Sequence, residues 1–185
     1  METPRTTLGL DAGNMRVSFS VRWFGVISVR GSFAGVTGMV EVPGPEGVDA
    51  QLSVNVESDS VHTGIGLRDR HLRGSRFLDS ARHPRIRFEN GHVSRNNGSW
   101  YVRGTLALRG LPCQVEFPVR DERASPAHRR LRAEFSVPRR PYAIGTARGI
   151  RRLNPLLWAI GPDVRIQVEV LVPATLLAAE HAPAR

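Results

Sequence analysis

Between positions 68 and 73 the chain reads Arg-Asp-Arg-His-Leu-Arg. A guanidinium presents a planar fork of donors that suits the oxygens of an anionic group. Arg68 and His71 are therefore candidates to cap the head group of an anionic ligand. The same run has a second use: Asp69 can accept hydrogen bonds from backbone or arginine and hold an irregular connection in place. Other chemistry is sparse. The six histidines, His62, His71, His83, His92, His128 and His181, fall at no metal-ligand spacing. Cys113, the single cysteine, follows a proline on a turn and has no assigned base. It excludes an intrachain disulfide and a cysteine metal cage. The chain contains no Gly-x-Ser-x-Gly elbow, phosphate-cradling loop or dinucleotide fingerprint. No catalytic residue, metal or cofactor is expected, which favours binding over catalysis.

The elements that must position this cluster are strands. Leu52, Val54 and Val56 alternate with Ser53, Asn55 and Glu57, so a strand runs into the stretch and Ser58-Asp59-Ser60 ends it. Beyond it, Leu67, Leu72 and Phe77 recur every five residues, which a continuous helix does not give. With Leu78 they read as apolar anchors of a long connection containing a helical turn or two. Period-two alternation recurs at Val17 to Trp23, Val36 to Val42, Trp100 to Leu108, Val115 to Val119, Ala133 to Val137 and Val164 to Val170. Ile86 and Phe88 open another strand after Pro84, and Asn97-Gly98 is a type I′ hairpin signal.

The expectation is an all-β, antiparallel fold of about eight strands with a short helical connection. Its divisions are a flexible N-terminal arm over 1–11, one domain over 12–172 and a tail over 173–185. Alternation does not separate a closed barrel from a two-sheet sandwich. In either, Phe19, Val21, Trp23, Phe33, Phe88, Leu106, Leu108, Phe117, Phe135 and Trp158 face inward, joined by the anchors Leu72 and Phe77. They line a ligand cavity or fill an ordinary core; the pattern is the same.

The net charge of +9 comes wholly from arginine, since the chain has no lysine. Ten arginines lie between Arg120 and Arg152 against Asp121, Glu122 and Glu134, making that segment the expected positive face. Such a face invites nucleic acid or an anionic surface, or simply solvates the protein. Few aromatics interleave these arginines, so no specific nucleic-acid partner is expected. A transient contact with an anionic membrane and a homodimer both remain open. The first ten residues have no apolar core, and no run approaches the ~18 apolar residues of a membrane span. The expected compartment is the cytoplasm.

Three patches together resemble the YceI-like family. One is Ser60, Thr63, Arg68-Asp69, His71-Leu72-Arg73, Phe77, Asp79 and Pro84, followed by Ile86 and Phe88. The others are Val29-Arg30-Gly31-Ser32-Phe33 and Gly104 to Gly110. The resemblance covers roughly residues 12 to 172. It implies an extended lipocalin-like barrel, eight-stranded by the count above. It also implies a non-catalytic protein that holds a polyisoprenoid or similar apolar ligand inside. No His stands near Trp23, where the family usually carries one. Two rival functions belong to other classes: an enzyme or stress-response factor acting on a small amphiphile, and a binder of anionic surfaces or nucleic acid.

Overall fold

The computed structural model describes residues 5–43, 49–146 and 160–176. Among these residues eleven strands form one antiparallel sheet: β1 (Arg5–Asp11), β2 (Met15–Trp23), β3 (Ile27–Phe33), β4 (Val36–Pro43), β5 (Gln51–Glu57), β6 (Val61–His62), β7 (Arg85–Asn96), β8 (Ser99–Leu108), β9 (Leu111–Arg123), β10 (His128–Pro138) and β11 (Ile160–Pro173). The order across the sheet is β1-β4-β5-β7-β8-β9-β10-β11-β2-β3-β6. One helix, α1 (Gly66–Arg73), lies in the connection between β6 and β7.

The count is eleven, not eight, because Arg5–Asp11, Ile27–Phe33 and Val61–His62 are strands too, each set off from its neighbour along the chain by a short corner. Between β1 and β2, Asp11 accepts a hydrogen bond from Gly13 N at 2.7 Å and Asn14 Oδ1 accepts one from Asp11 N at 3.0 Å. Between β3 and β4, the Gly35 carbonyl accepts from Glu57 N at 2.8 Å. Between β5 and β6, a 3-10 turn at Ser58–Ser60 is held by Ser60 Oγ donating to Glu57 O and Ser58 Oγ donating to His83 O. A second correction concerns the N-terminal arm. Arg5–Asp11 form β1, paired with β4 from Arg5↔Pro43 to Asp11↔Thr37. Two apolar residues, Leu8 and Leu10, carry the alternation of this strand, too few to stand out in sequence.

These corners let the sheet curl. β11 pairs with β2 through Val168↔Val17, and β2 follows directly from β1, the opposite end of the order. The result is a barrel-like wall whose inner face is apolar. The buried cluster comprises Leu10, Met15, Val17, Val36, Val54, Val56, Phe88, Val102, Phe117 and Ala133. Phe117 stacks on Phe135 with centroids 4.3 Å apart. Gly104 makes room for this packing: the Phe88 ring lies against it, where any Cβ would collide. Pairing between β9 and β10 stops at Val119↔Ala133, next to Pro118, which has no N–H to extend the ladder.

Candidate functional site: an apolar cavity with a basic mouth

Inside the curled sheet is a cavity of about 1000 Å³. Its wall comes from alternate residues of nearly every strand, as a period of two requires. Phe19, Val21, Trp23, Phe33, Phe88, Leu106, Leu108, Phe117 and Phe135 all line it. So do Val164, Ile166, Val168 and Val170 of β11. Many of these inward side chains are only half-buried, among them Phe19, Val21, Trp23, Leu106 and Leu108. A filled core would close them off; a hollow one leaves them reachable. Trp158 lies outside the described residues.

The polar groups of the lining gather at one end. There α1 and the residues after it contribute Arg68, Arg70, His71, Ser75 and Arg76, with Leu72 and Phe77 between them. Arg139 completes the set from the end of β10. No carboxylate lines the cavity among the described residues.

The connection carrying α1 is held by Asp69, which is buried. It accepts from Thr63 N at 2.9 Å and from the Thr63 hydroxyl, and His62 Nδ1 lies 3.3 Å from its other oxygen. The Thr63 side-chain hydrogen bond, opposed by burial and helped by the Thr63 amide, His62 and Arg73, holds the Asp69 carboxyl below its ordinary range. Arg68 is also tied into this turn. Its Nε donates to Thr63 Oγ1 at 2.8 Å and its Nη2 to Thr63 O at 2.9 Å. Of the two head-group candidates, Arg68 thus spends two donors on the fold, whereas His71 is exposed at the mouth. Leu67, expected as an anchor, is instead 63% exposed.

Sequence reasoning missed Arg139. It is buried, at 5% exposure, and donates to four backbone carbonyls: Gly161 and Ile160 at 2.7 and 2.8 Å, and Ile144 and Gly145 at 2.8 and 3.2 Å. Burial, then the neighbouring Arg140, lowers its pKa. No described carboxylate pairs with it. Its sequence context, Pro138-Arg139-Arg140-Pro141, reads as an exposed basic turn, so nothing local marks it as buried. Close by, Tyr142 is buried with its hydroxyl near Cys113. Burial, then the adjacent Cys113, pushes its phenol up.

The expected arginine face is neutralised in part where it is described: three of its seven described arginines pair with carboxylates. Arg129 forms a two-pronged pair with Asp121, Arg132 bridges Glu122 and Glu169, and Arg130 reaches Glu169 at 3.3 Å. Hydrogen bonds to these carboxylates raise the pKa values of Arg129 and Arg132. Residues 147–152, which carry further arginines, lie outside the described residues.

Fold and cavity define an all-β, barrel-like protein built around an internal apolar space. A family model described as "YceI-like domain" matches residues 9–172, and the chain belongs to that family. Among curated relatives, a UPF0312 protein of Shewanella denitrificans is 31% identical over 96 residues. That match takes in 51% of this chain and 50% of the relative, so the chain spans about half the length of the curated relatives it matches. Among solved structures, BcnA of Burkholderia cenocepacia superposes with a TM-score of 0.76 at 16% identity, covering 88% of this chain and 99% of that one. A polyisoprenoid binding domain from Saccharophagus degradans gives 0.64 at 15% identity, covering 91% and 98%. At these identities the likeness is one of fold.

Proposed function

We propose that the protein is a non-catalytic lipid-binding protein. It holds a long isoprenoid-type or similar amphiphilic ligand with its apolar chain in the barrel and its polar end at the α1 mouth. The observation that carries this reading is the segregation of the cavity lining: apolar along the strands, basic at one end. A volume of about 1000 Å³ stands at the top of the range for ligand sites. Each buried methylene contributes about 0.8 kcal/mol, so roughly ten give a gross ~8 kcal/mol, a micromolar affinity before ordering costs. Such a ligand needs few polar contacts. The S. degradans neighbour, described as polyisoprenoid-binding, supports the same class. Asp69, the carboxylate paired with a histidine near the mouth, is spent on Thr63 and does not line the cavity, which disfavours acid–base catalysis.

Leu106→Trp tests the reading. Leu106 lines the cavity and sits opposite Phe88. The larger ring fills space without adding charge, at a cost of ~1–3 kcal/mol. The variant is expected to stay folded and to lose binding of an apolar fluorescent dye, while Arg165→Ala on the outer face keeps it. Equal dye binding by wild type and the folded Leu106→Trp variant contradicts the assignment.

A further inference from the structure

Seven large apolar residues are substantially exposed among the described residues. Six of them crowd one end of the barrel. Phe24, Val26 and Ile27 form the β2–β3 hairpin tip, Ile65 and Leu67 start α1, and Leu111 follows the β8–β9 turn; Met39 alone lies elsewhere. These elements share an end because Arg109 of the β8–β9 turn donates to Ala143 O. The same 139–146 stretch bonds Arg76 O through Gly145 N, and β2 reaches the start of β11 at Trp23↔Ile160.

The hairpin tip is anomalous in its chemistry. Among the described residues, three tight turns place two successive residues at positive φ: Phe24-Gly25, Asn97-Gly98 and Arg109-Gly110. Asn is the residue that suits the first position, and a bulky aromatic there is unfavourable. Phe24 nevertheless occupies it at φ 51°, is 59% exposed, and is followed by Val26 at 84% exposure. The turn geometry does not call for this side chain, and neither does the core.

The tip is continuous with the cavity. The Phe24 ring packs at 5.0 Å on Trp23, which lines the interior, and Ile65 and Leu67 are at once exposed and part of the lining. Asp163, exposed in the bulge where β11 faces β2, is a carboxylate beside the tip, whereas the exposed charge of the α1 stretch is one-sided. Between Thr63 and Pro84 both carboxylates, Asp69 and Asp79, are buried, while Arg70 and Arg76 are exposed and meet no described carboxylate.

We infer that this end of the barrel docks on an anionic lipid bilayer. Phe24, Val26 and Ile27 insert among the acyl chains while Arg70 and Arg76 meet the lipid head groups. Apolar insertion combined with arginine–anion attraction is what holds interfacial elements on membranes. A second copy of the chain is a poorer occupant, because a two-fold contact would lay these arginines against each other. The docked mouth opens the cavity to the bilayer, so an apolar chain enters without crossing water. The docking rests on the exposed face and is separable from what the cavity holds.

The test is sedimentation of the full chain with vesicles of equal parts phosphatidylglycerol and phosphatidylcholine, against vesicles of phosphatidylcholine alone. Wild type is expected to bind the anionic vesicles at least about tenfold more tightly, by loss of the arginine attraction on neutral lipid. The Phe24→Asn/Val26→Ser double variant is expected to lose binding about tenfold or more. Because Asn suits the left-handed position, that variant is expected to keep its melting temperature and its dye binding. Arg70→Glu/Arg76→Glu should abolish the preference for anionic vesicles. Unchanged vesicle binding by the hairpin variant overturns the proposal. So does wild-type binding that ignores vesicle charge, or a concentration-dependent dimer that the hairpin substitutions dissolve. Vesicle binding lost with dye binding kept separates the docking face from the cavity; dye binding absent in wild type tells against the cavity alone.

Discussion

Arg139 is buried with its charge, and four carbonyls take the place of a counter-ion. It ties the first residues of β11 to the turn after β10. Arg139→Met leaves the carbonyls of Ile144, Gly145, Ile160 and Gly161 without this donor. Each buried polar group left unpaired costs ~1–3 kcal/mol, so the variant should be destabilised by roughly 3 kcal/mol or more in urea unfolding. A loss under about 0.5 kcal/mol, the scale of an ordinary surface change, would show that these bonds are dispensable.

At the scale of elements, α1 is a short helix with little intrinsic stability, since isolated helices under ~12 residues are marginal. Its connection is held by Asp69 on Thr63 and by Arg73, which donates to Asp59 O at 2.6 Å and Val61 O at 3.1 Å. Because folding lowers the Asp69 pKa from 3.8, its contribution is complete above that value and is lost as pH falls through the lower folded value. The protection of Thr63 to Asp79 amides from hydrogen exchange, taken relative to each amide's intrinsic rate at that pH, should therefore be constant near neutrality and fall below about pH 4. Asp69→Asn should show the faster exchange already at pH 7, with β8 and β10 unaffected. Uniform exchange in wild type and variant would remove Asp69 from this role.

The strands with clean alternation were legible in sequence, because burying one face of a sheet forces a period of two. β2, β5, β8 and β11 lie where Val17 to Trp23, Leu52 to Val56, Trp100 to Leu108 and Val164 to Val170 put them. β1, β3 and β6 were not. β1 has too few apolar residues, Gly31 and Ser32 interrupt β3, and β6 is two residues long. The inward aromatics were legible for the same reason as their strands. Whether they enclosed space was not, because a filled and a hollow interior demand the same residues. Arg70, Arg76 and Arg139 were invisible as mouth residues, because only the fold sets them apart from the other arginines.

Over the whole molecule, the net charge of +9 is not a uniform field. Arg129, Arg130, Arg132 and Arg165 on β10 and β11 are paired with Asp121, Glu122, Glu169 and Glu134, while the mouth arginines Arg70 and Arg76 are not. Arginines already paired offer few phosphate contacts, and exposed charge is screened within about 8 Å at physiological ionic strength. Binding to duplex DNA should accordingly be weak, indifferent to sequence and lost at physiological salt. Tight, sequence-dependent binding that survives that salt would restore the nucleic-acid reading. No helix among the described residues is long and apolar enough to cross a membrane.

A lipid chain held in the cavity should survive native purification. Mass spectrometry of organic extracts from the purified protein is therefore expected to find a stoichiometric long-chain amphiphile, missing from the Leu106→Trp variant. A wild-type protein that yields no such molecule and leaves added polyprenyl lipids and apolar dyes unbound would contradict that expectation.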